Sequence, residues 1–358
     1  MAYTTIDDPG LFFNTVTWTA NDNESRDITG VGFQPDWVWG RRRDDAAGHN
    51  LLDVVRGAGE NGELQSNSNG VEGGGAQDRF GYLGAFLSDG FRVQGGSEAS
   101  GNKAYWNQNS ATYVAWNWKA GGSASSNSNG SITSSVSANT TAGFSIVSYT
   151  GTGSNATVGH GLGSAPAWII FKDRSASKDW FVYHQSLSPA TGQKLNSTAN
   201  PSADSTYFQN TATTSSVFSI GNANTVNPSS NNMIAYCFVE KKGYSKFGQY
   251  TGNGNADGTF VYTGFKPALI IMKRSDSSGN NWRIFDNKRS TSGSNVTDKA
   301  LRPNTSDAEF SSNIDFVSNG VKIRNTDGEA NTSGGTYIFI AFAESPFVNS
   351  NGVPNNAR

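Results

Sequence analysis

Short apolar runs alternate with Gly, Asn and Ser along the whole chain. Examples are FSIVSYTG, PAWIIFK, DWFVYHQ, VFSIG and MIAYCFV, which are rich in Val, Ile and aromatic residues. Runs of this length and composition, bounded by turn-forming residues, are typical of β-strands. The i, i+3, i+4 spacing of an amphipathic helix is not sustained in any stretch of the chain. The pattern therefore predicts an all-β protein, with less than about a quarter of its residues in helices.

One order of blocks occurs three times. Each copy starts with a Gly- and Pro-containing turn, an apolar run and a basic residue: GFQPDWVWGRR, GSAPAWIIFKD and GFKPALIIMKR. When the copies are aligned on their prolines, with one inserted residue in the third copy and middle loops of variable length, further residues align. These are Trp18, Tyr149 and Tyr250; Arg41, Lys172 and Lys273; His49, Trp180 and Trp282; Asp53, His184 and Asp286; Phe91, Phe218 and Val321; and Tyr113, Met233 and Tyr337. The repeat predicts three domains near the usual domain size, at 1–120, 121–241 and 242–358.

We expect each domain to be an antiparallel, jelly-roll-like β-sandwich, with the three in tandem. The stretch GGSASSNSNGS at 121–131 is typical of a flexible linker, and the SITSSVSANTTAG that follows could form a strand. Almost no chain separates the second domain from the third, so we expect those two to pack rigidly and the first to be looser. PALIIM and YIFIAFA are apolar on both strand faces, whereas a sandwich strand usually buries one. Loops, neighbouring domains or other subunits must therefore cover the second face.

Composition narrows the classes of function. Charged residues are 16% of the chain and the net charge is -2, so the sequence does not predict binding to nucleic acid or to an anionic membrane. The chain shows neither a signal peptide nor a long apolar span, and we expect synthesis in the cytoplasm without membrane insertion. Cys237 is the only cysteine and lies in an apolar run. This predicts a buried thiol, with no disulfide.

The sequence contains no strong catalytic or metal-binding motif, and we predict no enzyme activity, no metal and no cofactor. His49, His160 and His184 lack the spacing of zinc ligands. We expect His184 in a surface or turn position, because Asp replaces it in the other two copies. GNGNADGT at 252–259 begins like a calcium loop but has Gly264 where that loop needs an acidic residue, so a hairpin turn is favoured. A pair of carboxylates facing one cleft, as in a glycosidase, stays open as an alternative.

Two groups of residues are candidates for binding. Tyr105 and Trp106 lie in the polar stretch NKAYWNQNS. Exposed rings among amides are typical of sugar-binding surfaces, although the same rings could pin the loop or contact a neighbouring subunit. Arg41, Arg42 and Arg43 precede two aspartates, which indicates a salt-bridged surface or a subunit contact more than a nucleic-acid site.

Several strings together resemble a repeated domain of unknown function that is common in marine bacteriophage genomes. They are TTIDDPGLFF, GFQPDWVWGRRRDDAAGHNLLDVVRG, NTTAGFSIVSYTGTG and KFGQYTGNGNADGTFVYTGFKPALIIMKR, and the resemblance covers about residues 10–345. Proteins of this kind are labelled tail fibres or virion structural proteins. The resemblance implies a virion protein made in the host cytoplasm, with no catalytic residues to carry over.

The role implied by the resemblance is a tail fibre or tail-associated appendage that contacts the host surface. A capsid-surface decoration protein and a non-catalytic glycan-binding module are alternatives, and a polysaccharide-degrading enzyme is a more distant one. The implied partners are other virion proteins and further copies of the chain, as a trimer by analogy with fibres. A host surface glycan is a further candidate ligand.

Overall fold

A computed structural model of the chain describes residues 3–22, 24–74, 77–96, 104–290 and 295–355. Strands make up 43% of the chain and helices 3%, which confirms the predicted all-β class. The helices of the described residues are single turns: a 3-10 turn at Pro9–Leu11, α1 at Gln77–Phe80 and α2 at Ser205–Phe208. The strands pair antiparallel, and one isolated bridge, between Ile132 and Val158, is parallel.

Residues 1–120, called unit 1 below, form two sheets. The strands are β1 Phe13–Thr19, β2 Ser25–Thr29, β3 Trp37–Arg42, β4 His49–Asp53, β5 Leu64–Gln65, β6 Tyr82–Leu87, β7 Gly90–Gln94 and β8 Thr112–Trp118. The larger sheet has the order β1-β8-β3-β4-β5, and the smaller sheet has the order β2-β7-β6.

Residues 121–241, called unit 2, also form two sheets. The strands are β9 Ser125–Asn127, β10 Ser134–Asn139, β11 Phe144–Thr150, β12 Ala156–Gly159, β13 Trp168–Asp173, β14 Phe181–His184, β15 Thr191–Lys194, β16 Ser202–Ala203, β17 Val217–Ile220 and β18 Asn232–Phe238. The larger sheet runs β16-β15-β14-β13-β18-β11-β10-β9, and β12 pairs with β17. The segment predicted as a linker therefore contains an edge strand, β9, while the strand expected after it is confirmed as β10.

Residues 242–358, called unit 3, repeat the arrangement. The strands are β19 Ser245–Thr251, β20 Phe260–Tyr262, β21 Phe265–Arg274, β22 Arg283–Asp286, β23 Val296–Ala300, β24 Phe310–Val317, β25 Gly320–Ile323 and β26 Thr336–Pro346. One sheet has the order β19-β26-β21-β22, and the other has the order β20-β25-β24-β23.

The strand registers confirm the alignment made from the sequence. One sheet of each unit, called its inner sheet below, contains the same four-strand order: β1-β8-β3-β4, β11-β18-β13-β14 and β19-β26-β21-β22. Two of the aligned sets face each other across the first strand pair of each sheet. Trp18 lies opposite Tyr113, Tyr149 opposite Met233, and Tyr250 opposite Tyr337. The spacing of aromatic residues and prolines therefore identified structurally equivalent positions in the three units.

A glycine three residues before each aligned proline shapes the turn into the central strands. Gly32, Gly163 and Gly264 have φ angles of 86°, 68° and 81°. This is the left-handed region, where a side chain at Cβ is strained and glycine is not. The shared turn geometry explains why the three copies keep the glycine.

The strands that are apolar on both faces divide their side chains between two cores. On β21, Ile270 and Met272 pack in the core between the two sheets of unit 3, whereas Leu269 and Ile271 point the other way. The second set joins a central core to which all three units contribute. Its aromatic members are Phe13, Trp37, Trp39, Trp116, Trp118, Phe144, Trp168, Trp180, Tyr236, Phe238, Tyr244, Phe247, Trp282 and Phe342. Neighbouring units of the same chain therefore cover the second face, and unit 1 contributes to this core together with units 2 and 3.

Candidate functional site

Three equivalent contacts join the units in a cycle. The aligned residues His49, Trp180 and Trp282 are fully buried, and each ring nitrogen reaches a backbone carbonyl of the next unit. The pairs are His49 Nε2 with Arg302 O at 3.1 Å, Trp180 Nε1 with Gln65 O at 2.8 Å, and Trp282 Nε1 with Lys194 O at 2.9 Å. Unit 1 thus contacts unit 3, unit 2 contacts unit 1, and unit 3 contacts unit 2.

A buried cation lies at each of the three interfaces. Arg41, Lys172 and Lys273 occupy the aligned position six residues after the proline, and all three are fully buried. Each one binds a carbonyl in its own unit and one in the next unit. The carbonyls are those of Ala47 and Asp307 for Arg41, Lys178 and Asn69 for Lys172, and Asn280 and Thr198 for Lys273.

Burial, which disfavours the charged form, lowers the pKa of all three cations. The pKa of Lys172 and that of Lys273 fall to about 8, and the pKa of Arg41 falls to about 10. At neutral pH the groups stay charged, and their protons are donated to carbonyl oxygens from two units. The basic residues therefore hold loops of adjacent units together.

The interface between units 1 and 2 contains a network of buried charges. The side chains of Arg56 and Asp53 are fully buried and are 2.5 Å apart. Arg56 also pairs with Glu72 at 3.0 Å, and Glu72 accepts a hydrogen bond from Arg174 of unit 2 at 2.8 Å. The hydroxyl of Tyr236, also in unit 2, donates to Asp53 at 2.7 Å. Burial lowers the pKa of Arg56, but Asp53, Tyr236 and Glu72 together raise it above its ordinary value.

The interface between units 1 and 3 repeats this network with the same chemistry. The pair Arg289 and Asp286 is again fully buried at 2.5 Å, and Arg289 pairs with Glu309 at 2.9 Å. Glu309 binds Arg43 of unit 1 at 3.0 Å. The indole nitrogen of Trp116, at the position equivalent to Tyr236, donates to Asp286 at 2.9 Å. Two of the three interfaces thus share one polar design.

The interface between units 2 and 3 is different, because His184 replaces the aspartate. His184 is fully buried, and its Nε2 lies 3.2 Å from the carbonyl oxygen of Phe339 in unit 3. Leu187 and Ser275 stand where the other interfaces have arginines. Burial lowers the pKa of His184 to about 4, so the ring is neutral at pH 7. The expectation that His184 is a surface or turn residue is wrong, because the position lies inside an interface in all three units.

The three arginines proposed for subunit contacts have different surroundings. Arg41 and Arg43 bind unit 3 of the same chain, as described above. Arg42 pairs with Asp44 at 3.1 Å and donates to Gln108 at 2.6 Å, both within unit 1. Arg42 and Arg43 thus form salt bridges, whereas Arg41 binds backbone carbonyls. The contacts of Arg41 and Arg43 are with another unit and not with another subunit, and a contact between chains stays a prediction.

Trp106 is not available to a ligand. The residue is fully buried, and its ring lies over Gly40, where a Cβ atom would be 2.3 Å from the ring. Its carbonyl accepts a hydrogen bond from Trp18, and the expectation that the ring is exposed is wrong. Tyr105 is half-buried against Phe80 beside a shallow groove of about 310 Å³. Ligand binding at Tyr105 stays a prediction.

The remaining sequence candidates have structural surroundings. Asp257 of the calcium-like stretch pairs with Lys322 at 2.9 Å. Cys237 is buried, as predicted, and burial raises the pKa of its thiol. Within the described ranges, no cluster of three or more His, Cys, Asp or Glu side chains could hold a metal ion. No helix in the same part of the chain is long and apolar enough to cross a membrane.

The glutamates of the two networks have no counterpart that the sequence repeat could reveal. Glu72 and Glu309 lie in loops that differ in length between the units, so alignment could not pair them. Arg56 and Arg289, in contrast, each follow an aligned aspartate by three residues, a signal that the alignment already contained.

Comparison with known proteins places the chain in a family. The model of DUF7483, a domain of unknown function, matches residues 8–346. The chain belongs to the DUF7483 family. One DUF7483 match spans all three units, so the family domain corresponds to the whole repeated body. The description names neither a phage nor an activity, and the expected virion role stays a prediction.

Other comparisons add little to the DUF7483 assignment. No curated protein matches the chain. Among solved structures, a β-porphyranase of glycoside hydrolase family 86 from the human gut bacterium Bacteroides plebeius is 9% identical, with a TM-score of 0.14. The match covers 59% of this chain and 36% of that one, so the chain spans about a third of its length. A similarity this weak carries no argument about fold or activity.

Proposed function

We propose that this protein is a structural part of a bacteriophage particle, most directly a tail fibre or tail-associated appendage that contacts the host surface. The observation that carries the proposal is the cyclic locking of the three units. Ionisable side chains with displaced pKa values often mark active sites. Here Arg41, Lys172, Lys273 and His184 are instead bound to backbone carbonyls of adjacent units. These side chains therefore hold the three units together as one rigid structure, and rigidity is what a component of a virus particle needs.

The architecture that we propose consists of three two-sheet β-sandwiches in tandem, 1–120, 121–241 and 242–358. The support is that a separate apolar cluster lies between the two sheets of each unit, while the inner sheets turn their other faces to the central core. Three equivalent units of one chain around a shared core resemble the three subunits of a trimer. Its central core is covered without a second copy, so the proposed trimer of chains would have to form through the outer surface.

The resemblance to phage virion proteins supplies the biological context of the proposal. Many copies on one particle would convert weak surface contacts into firm attachment. Other virion proteins are the proposed partners. A capsid-surface decoration protein would use the same rigid body, and its position on the particle separates it from an appendage.

Gold-labelled antibody on particles of the phage that encodes the chain, viewed by electron microscopy, tests the proposal. We expect gold at the tail. Gold spread over the head would replace the appendage with a decoration protein. Particles that carry no gold, while the antibody detects the protein in the infected lysate, would overturn both virion roles.

A further inference from the structure

Unit 3 exposes two aromatic rings on the outer face of its sheet β20-β25-β24-β23. Phe260 and Tyr262 are 44% and 56% exposed, whereas Val261 between them is buried in the core of unit 3. Alternate residues of a strand point to the same face, so the two rings lie about 7 Å apart along β20. Both point away from the core.

The other units show that the fold does not need these rings. Val261, Ile28 and Val158 are equivalent, because they lie opposite the aligned residues Val321, Phe91 and Phe218. The position of Phe260 is therefore occupied by Asp27 and Thr157, and that of Tyr262 by Thr29 and Gly159. Polar or small residues fill the site in two units of the same architecture. The aromatic pair is a special feature of unit 3.

A groove of about 460 Å³ lies next to Tyr262. This volume is within the range of about 300–1,000 Å³ that is usual for small-molecule sites. Its walls include Tyr3, Lys242 and Thr263. The hydroxyl of Tyr3 donates to the carbonyl of Gly264 at 2.7 Å, which fixes the ring in place. The groove thus combines aromatic faces with hydroxyl and amine groups.

The size of the aromatic surface favours a small ligand over a protein partner. Two half-exposed rings present roughly 200 Å² of apolar surface, given 150–250 Å² for a whole aromatic side chain. A stable protein interface buries about 800 Å² on each partner. Separate rings beside hydroxyl groups instead suit a sugar, whose C–H face stacks on a ring while its hydroxyls form hydrogen bonds.

The charges around the groove favour an acidic group on that sugar. Lys242, Lys246 and Glu240 are the charged residues that line the groove, and Lys246 is paired with Glu240 at 2.7 Å. The amine of Lys242 lies over the ring of Tyr3, 4.4 Å from its centre, and forms no ion pair among the described residues. Glu240 is therefore matched by Lys246, and Lys242 adds one exposed ammonium group that has no carboxylate partner among the described residues. Such a group binds a carboxylate or sulfate as a point charge.

We infer that this groove binds a saccharide that carries an acidic group. The sugar rings stack on Tyr262 and Phe260, and Lys242 binds the carboxylate or sulfate. If the protein contacts a host surface, as proposed above, this saccharide is the ligand on that surface. Only the source of the saccharide rests on the proposed function. Tyr262, Phe260 and Lys242 lie on unit 3, whereas Tyr105 lies on unit 1, so the two candidate surfaces are separable by mutation.

Isothermal titration calorimetry of the full chain tests the inference with three probes of equal length. These are tetragalacturonic acid, a sulfated carrageenan tetrasaccharide and neutral cellotetraose. We expect at least one acidic probe to bind more tightly than the neutral probe. Tyr262→Ala should weaken that binding about tenfold or more, because one stacking ring is lost. Lys242→Gln should remove the preference for the acidic probe.

Thr29→Ala, at the equivalent exposed position of unit 1, is the matched control and should leave binding unchanged. Equal melting temperatures of the variants would show that the fold is intact. The inference is overturned if neither acidic probe binds, if the neutral probe binds equally well, or if Thr29→Ala weakens binding as much as Tyr262→Ala. The result does not depend on where the protein sits on a particle. A failed gold-labelling experiment and a failed titration therefore stay distinguishable.

Discussion

Arg56 and Arg289 hold equivalent positions, and each keeps a fully buried guanidinium between two carboxylates. Removing a charge from water costs several kcal/mol, and only close pairing with good geometry offsets that cost. In both networks the remaining donors of the arginine bind backbone carbonyls, such as Leu51 O and Ile284 O. The network is therefore satisfied as a whole, and the loss of one member leaves a charge uncompensated inside an interface.

Replacement of Arg56 by Met is expected to lower the free energy of unfolding by about 3–5 kcal/mol, the usual cost of breaking a buried ion pair from one side. Urea unfolding at pH 7 measures it. The matched control is Arg92→Met, which breaks a pair with Asp27 whose side chains are 41% and 44% exposed. That change should cost at most about 1 kcal/mol. Equal losses for the two variants would contradict a structural role for the buried network.

At the level of strands, the sequence predicted the features that depend on residues close together in the chain. Apolar runs gave the strands, and aligned prolines and aromatics gave equivalent positions such as Trp18, Tyr149 and Tyr250. Trp106 could not be placed this way, because its neighbours in the chain are polar while its ring fills the space over Gly40 on a distant strand. The contacts between units could not be predicted either, because a repeat shows which positions are equivalent but not which of them are in contact.

The interface formed by β14 and β26 gives the protein a specific sensitivity to acid. An unfolded histidine has a pKa near 6.5, whereas burial lowers the pKa of His184 to about 4. Between these pH values the unfolded chain binds one proton more than the folded chain. The free energy of unfolding therefore falls as the pH drops from about 6.5 to 4, by about 3 kcal/mol from this residue.

His184→Gln should reduce this loss, because glutamine can still donate to the carbonyl of Phe339 but does not titrate. Urea unfolding of both proteins at pH 7, 6, 5 and 4 measures the difference in pH dependence. His49 and His160 are buried with lowered pKa values as well, so part of the acid sensitivity remains in the variant. Parallel curves for the two proteins would show that the pKa of His184 is the same in the folded and the unfolded state, which would contradict the burial effect.

On the scale of the whole molecule, one chain does the work of three subunits. Linking the units raises their effective concentration, so the central core forms without an association step. It also allows the interfaces to differ, which three identical subunits related by a threefold axis could not do. The result is visible here as two ionic interfaces and a third built on His184 and Leu187. This arrangement also explains the strands that are apolar on both faces, because neighbouring units of the same chain cover their second face.

The shared core predicts that the three units unfold together. Trp37 of unit 1 stacks on Tyr236 of unit 2 at 4.4 Å, and Phe13 of unit 1 stacks on Phe342 of unit 3 at 5.3 Å. Unfolding one unit would expose these faces on the others. We expect one calorimetric transition, with a van't Hoff enthalpy close to the calorimetric enthalpy. Phe208→Leu acts only in the core of unit 2 and should shift the whole transition to lower temperature. If only part of the heat absorption moved, or if the van't Hoff enthalpy were about a third of the calorimetric value, the units would be independent domains and the central core a weak contact.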